Sequence, residues 1–271
     1  TNGFYLPFKQ DYTVEGFSAV VYSGAIPDGS TGTNYVGGVG FQPDLVWIKK
    51  KSSATNHCLT DSVRGANKRL ASDTTNAEIT DSNALMSFDT DGFTVGENSK
   101  TSRGGESYVA WNWDMGGSNA TNTNGDIQST VRANTTYGQS IVSYTSNYSA
   151  GQSAQTVGHG LSSQPEMIIV KKRTGGTAYG WAVWHTGLSN NNGSKQLLLN
   201  DTGAEISQDM FNNDIFPSNS STVFATGDNN FTHYPNGATY IAYCFHSVSG
   251  YSKIGSYEGT GSSGKKITTG F

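Results

Sequence analysis

Charge is scarce in this chain. Asp, Glu, Lys and Arg together make only 14% of 271 residues, and the net charge is −4. So small an imbalance gives no electrostatic footprint for nucleic acid, and the short basic runs Lys49–Lys51 and Lys171–Arg173 sit where strands end. No run of about 18 apolar residues occurs, so no helical membrane span is expected. Only two cysteines are present, Cys58 and Cys244, in unrelated sequence contexts, which predicts free, buried thiols and a fold that does not need oxidation. Helix-forming residues are few, and no stretch holds a 3.6-residue apolar period for several turns.

What the chain has instead is glycine (34), tyrosine (14), phenylalanine (12) and tryptophan (5). Short apolar runs broken by Gly, Asn, Asp and Ser predict an all-β fold with many turns and a core of few but bulky residues. The runs also recur. GFQPDLVWIKKK at Gly40–Lys51 returns as SSQPEMIIVKKR at Ser162–Arg173, and YVAWNW at Tyr108–Trp113 returns as YIAYCF at Tyr240–Phe245. The lead-in AVVYSG (Ala19–Gly24) returns as IVSYTS (Ile141–Ser146) and again as KIGSYEG (Lys253–Gly259), with Gly270-Phe271 echoing Gly40-Phe41. A period of about 120 residues predicts tandem β-sandwich, jelly-roll-like units.

The expected organisation is an extended lead-in over residues 1–18, a first unit over 19–117, a polar linker over 118–126 and a second unit over 127–249. Residues 250–271 read as the start of a truncated third unit, so the 271 residues are expected to be a window on a longer polypeptide. Within the first unit, Leu45 and Trp47 point one way and Val46 and Ile48 the other, which predicts a strand buried between two layers. Thr74–Phe88 is expected to supply a short helical turn, and Phe88–Gly96 a hairpin around an Asp-Gly turn. Trp181–His185 and Lys195–Asn200 read as further strands.

Motifs that carry chemistry are weak. GTGSSGKK at Gly259–Lys266 nearly matches a phosphate loop, but Lys266 stands where a hydroxyl must hold Mg²⁺, and ITTGF reads as a strand where a helix is needed. Asp89 and Asp91 fall in a turn without the late bidentate acid of a calcium loop. His57, His159, His185, His233 and His246 show no metal-ligand spacing, and no G-x-S-x-G elbow follows a strand. No cofactor, metal or catalytic residue is therefore expected. Trp181 and Trp184 read first as core. Tyr179, after the Gly175-Gly176 loop, is the best exposed candidate for stacking on a sugar, with Trp184 as a weaker receptor-binding candidate.

The quoted phrases, with DSVRGANKRL (Asp61–Leu70) and SFDTDGFTVG (Ser87–Gly96), resemble tandem-repeat domains of marine bacteriophage tail-fibre-like structural proteins. The similarity spans most of Val20–Phe271 and carries no site residues with it. It implies a non-enzymatic virion protein at the particle surface, part of a tail fibre or similar appendage that contributes to attachment to a host-surface glycan. Other virion proteins are the implied partners, with a homotrimer as the assembly; nucleic acid and membrane insertion are not implied. Two alternatives stay open, a capsid decoration protein and a tail-spike polysaccharide depolymerase. The last needs paired carboxylates about 5–9.5 Å apart, and Asp44 and Glu166 are the equivalent acids of the two copies.

Overall fold

The computed structural model describes residues 16–149, 154–189, 194–207, 219–227 and 230–270. Most of the expected lead-in, residues 1–15, lies outside them. The strands in chain order begin with Phe17–Ser23 (β1), Thr33–Gly37 (β2), Leu45–Lys50 (β3), Cys58–Asp61 (β4), Lys68–Arg69 (β5) and Ile79–Thr80 (β6). Leu85–Asp89 (β7), Gly92–Gly96 (β8), Ser107–Trp113 (β9), Ala120–Asn122 (β10), Ser129–Asn134 (β11) and Gln139–Thr145 (β12) follow. The remainder are Gln155–Gly158 (β13), Met167–Lys172 (β14), Ala182–His185 (β15), Lys195–Leu198 (β16), Ile206–Ser207 (β17), Val223–Thr226 (β18) and Thr239–Phe245 (β19). The architecture is all-β, with the strands arranged in antiparallel sheets.

Four layers are stacked. A three-stranded sheet, β2-β8-β7, covers one face of a four-stranded sheet, β1-β9-β3-β4. Between them Val36, Phe93 and Val95 meet Val46, Ile48, Cys58, Tyr108 and Ala110 in one apolar core. At the far side the pair β13-β18 covers an eight-stranded sheet, β10-β11-β12-β19-β14-β15-β16-β17, and Val157 and Phe224 meet Val142, Tyr144, Ile168, Val170 and Tyr240 there. The two large sheets then face each other through a third apolar layer, in which Leu45, Leu59 and Trp113 oppose Ile141, Trp181, Ile241 and Tyr243. Period-2 alternation makes this possible: Val46 and Ile48 enter the first core while Leu45 and Trp47 enter the shared layer.

The antiparallel pairing follows one scheme in the two large sheets. Ala110 of β9 lies between Val20 of β1 and Ile48 of β3, and Ala242 of β19 lies between Val142 of β12 and Val170 of β14. Two residues away, Tyr22 stacks on Tyr108 with ring centroids 5.3 Å apart and meets Phe93 edge-on at 6.0 Å. Tyr144 stacks on Tyr240 at 5.2 Å and meets Phe224 edge-on at 6.0 Å. Burial pushes the Tyr22 and Tyr144 hydroxyls well above the usual phenol range, so both rings stay neutral.

Three sequence expectations are corrected. Thr74–Phe88 is not helical; it contains β6 and the start of β7. Its backbone amides are drawn elsewhere: Glu78 N–H donates to the Arg173 carbonyl and Asp81 N–H to the Asn67 carbonyl. Thr74 and Asp81 side chains accept from Asn76 and Asn83 amides in local turns, which compete with helix formation. Ile267–Gly270 forms no strand, and Ile267 stays more than half exposed. Within the polar segment 118–126, β10 adds an edge strand to the second large sheet rather than leaving the whole segment as connection. The hairpin at Phe88–Gly96 is present as β7-β8, and Cys58 and Cys244 are free and buried in separate cores.

Phe93 and Phe224 are both fully buried against a stacked tyrosine pair. Phe93→Ala and Phe224→Ala are each expected to lower unfolding free energy by about 3–5 kcal/mol, measured by urea denaturation.

Candidate functional site: an ionic joint and an aromatic cleft

The shared layer carries charges fully enclosed from solvent. Asp61 ends β4, and the turn after it brings Arg64 back so that its Nε donates to Asp61 Oδ2 at 2.5 Å. Arg64 Nη1 reaches Glu78 Oε2 at 3.1 Å, and the Tyr243 hydroxyl from the opposite sheet donates to Asp61 Oδ2 at 2.7 Å. Arg173, also from the second sheet, closes on Glu78 through Nε and Nη2 at 2.9 and 3.0 Å. The Arg64 and Asp61 side chains have no exposure to solvent. Such a cluster is retained at a desolvation cost, so removing one member leaves the others charged and unpaired. Although burial pushes the Glu78 carboxyl up, bonds and charge from Arg173 and Arg64 hold it below the usual range.

Side chain-to-backbone contacts reinforce the joint. Trp181 Nε1 donates to the Ala71 carbonyl at 2.8 Å, and buried Lys171 donates to the Thr75 carbonyl at 2.8 Å and to the Tyr179 carbonyl. Burial lowers the Lys171 amine to about 8, and its charge sits 6.0 Å from the Trp181 ring centroid. The segment 71–78 is thus laid along the second sheet by side chains that reach its backbone.

Asp44 and Glu166, the acids of the two Gln-Pro phrases, do a similar structural task. Asp44 Oδ2 accepts the Met115 amide at 2.9 Å, and Glu166 Oε2 accepts the Ser247 amide at 2.7 Å. Each amide lies two residues past the end of its sheet's central strand, β9 or β19. Asp44 also pairs with Arg132 of β11. Burial raises the Asp44 carboxyl above its ordinary value, more than the Arg132 charge lowers it.

Where the two large sheets part, a cleft of about 550 Å³ opens. One wall carries Phe17, Trp47 and Trp113, the other Met167, Ile169 and Phe245. Leu45, Leu59, Gln139, Trp181 and Tyr243 are buried at its floor, and Tyr137, Tyr251, Lys253 and Ile254 form the rim. Phe17 packs 5.0 Å from Trp113, and Tyr137 lies 4.8 Å from Tyr251.

The sequence candidates fall elsewhere. Trp184 is only 1% exposed and belongs to the second core, which agrees with its first reading as core and corrects its weaker candidacy as a receptor-binding residue. Tyr179 is half-buried, edge-on to Phe231 at 5.4 Å, with the Lys172 amine 5.4 Å from its ring. Asp91 accepts the Gly38 and Gly40 amides, while Asp89 accepts the Thr94 hydroxyl. His159 is buried, accepts the Leu161 amide and contacts the Ser220 carbonyl; burial lowers it to about 4. The Gly259–Lys266 loop is exposed throughout. Sequence reasoning missed the joint: Asp61 and Arg64 stand three apart, but Tyr243 lies 182 residues beyond Asp61, and no spacing rule spans that distance.

Fold and site together define an all-β protein of stacked sheets, closed by a buried ionic joint and opened at one seam by an aromatic cleft. The chain belongs to the family described as a domain of unknown function, DUF7483, whose model matches residues 13–271. No curated protein and no solved structure matches it.

Arg64→Ala is expected to cost about 3–5 kcal/mol, read by chemical denaturation. The acid limb should be split in two. His159 binds its proton less readily folded than unfolded, so stability falls as pH drops from about 6.5 towards about 4. Glu78, also depressed, contributes stability above its unfolded value near 4.3 that is lost below it. Glu78→Gln should flatten only the lower portion of the stability–pH curve.

Proposed function

We propose that the chain is a non-enzymatic structural segment of a bacteriophage tail fibre or similar surface appendage, built from two copies of one β-sandwich unit. The observation that carries this reading is the coincidence of pairing in the two large sheets. The order β1-β9-β3-β4 has its counterpart in β12-β19-β14-β15, with Val20–Ala110–Ile48 answered by Val142–Ala242–Val170. The tyrosine stacks and the Asp44 and Glu166 caps fall at matching places in each. A unit repeated in one chain and fused through a buried joint suits a protein whose task is to hold its shape under load. Use of the equivalent acids as caps on backbone amides favours scaffolding over hydrolysis.

Attachment to a host-surface glycan, in this reading, falls to the loops rather than the frame, with Tyr179 beside the Gly175-Gly176 turn as the stacking ring. Several copies in an oligomer, a trimer by resemblance, multiply weak contacts into avidity.

The test is immunogold labelling of intact particles with antibody to this chain, together with adsorption measured after antibody blocking. Label on an appendage and a fall in adsorption are expected. Label on the head with adsorption unchanged would reject the reading.

A further inference from the structure

The seam cleft has a composition unlike that of a sugar site. Three of its aromatic residues have already spent their polar atoms: Trp47 Nε1 donates to His57 Nδ1 at 2.7 Å, Trp181 Nε1 to the Ala71 carbonyl and the Tyr243 hydroxyl to Asp61. Gln139 is committed as well, its amide nitrogen to the Gly16 and Asp114 carbonyls and its oxygen to the Tyr251 hydroxyl. A hydroxyl-rich ligand would lose water there and gain few partners. An apolar one would gain the burial of rings such as Phe17, which now stays more than a third exposed.

Among the lining residues only Lys253 carries a full charge. It stands exposed at the rim and makes no ion pair with any described residue. An apolar slot with a single unpaired cation at its mouth is complementary to a molecule with a hydrocarbon tail and an anionic head. The volume lies in the range of roughly 300–1,000 Å³ usual for small-molecule sites.

We propose that this cleft binds a monomeric long-chain carboxylate, with the alkyl tail between the Trp47–Trp113 wall and Ile169 and the carboxylate at Lys253. The site is separate from the glycan-facing loops, so either assignment can fail without the other.

The intact chain is titrated with dodecanoate below its aggregation concentration, followed by tryptophan fluorescence and calorimetry. Saturable binding near one per chain is expected, with dodecylamine weaker. Lys253→Glu should weaken dodecanoate by about five- to tenfold and reverse the preference for the amine. Leu199→Trp, on an exposed part of the wall, should block binding while circular dichroism and thermal unfolding stay as in the parent. Absence of saturable binding, or equal dodecanoate affinity in parent and Lys253→Glu, overturns the proposal. So does displacement of dodecanoate by a soluble oligosaccharide, binding to anionic vesicles alone, or a dimer that closes the cleft.

Discussion

Everything in this molecule hangs on the layer where the two large sheets meet. Each sheet has to be apolar on both faces, because one face closes its own sandwich and the other closes the seam. That double demand explains why β3, β9 and β19 carry so many of the large side chains, and why a chain with a 34% hydrophobic fraction still builds three cores. The Arg64 cluster sits in that layer as a positional device. Apolar contact alone would allow the sheets to slide, whereas a guanidinium shared by Asp61, Glu78 and Tyr243 is satisfied in only one register.

The consequence is that the two sandwiches are not beads on a string. Trp181 and Lys171 of the second half bond to the backbone of the first, and Arg132 of β11 pairs with Asp44 before β3. Gln139, which opens β12, bonds the carbonyls of Gly16 and Asp114 from the other half. A single family model running over residues 13–271 agrees with this interlocking.

Much of the frame was legible in the residues, because it rests on period-2 patterning that a sheet enforces locally. The split of Leu45 and Trp47 from Val46 and Ile48 is a two-layer signature and places them in different cores. The Asp-Gly hairpin is equally local. Thr74–Phe88 misled because its Thr, Asn and Asp residues look like helix caps, while its amides are claimed by Arg173 and Asn67, remote in sequence. Trp184 is core, as its place in an alternating strand first suggested; its weaker candidacy for receptor binding fell only with the β13-β18 layer in place, because the pattern alone does not say which face is covered. The joint and the cleft were illegible because they arise only where two surfaces meet.

The two thiols show what such thorough enclosure does chemically. Cys58 lies in the first sandwich and Cys244 in the second, and burial pushes the Cys58 thiol up to about 12 and the Cys244 thiol higher still. At neutral pH neither supplies the thiolate on which alkylation and disulfide exchange depend. Each sulfur is shielded from oxidants and heavy metals for as long as its sandwich stays shut. Together they serve as a built-in pair of sentinels, one per half, that answer a thiol reagent only when the surrounding sheets come apart.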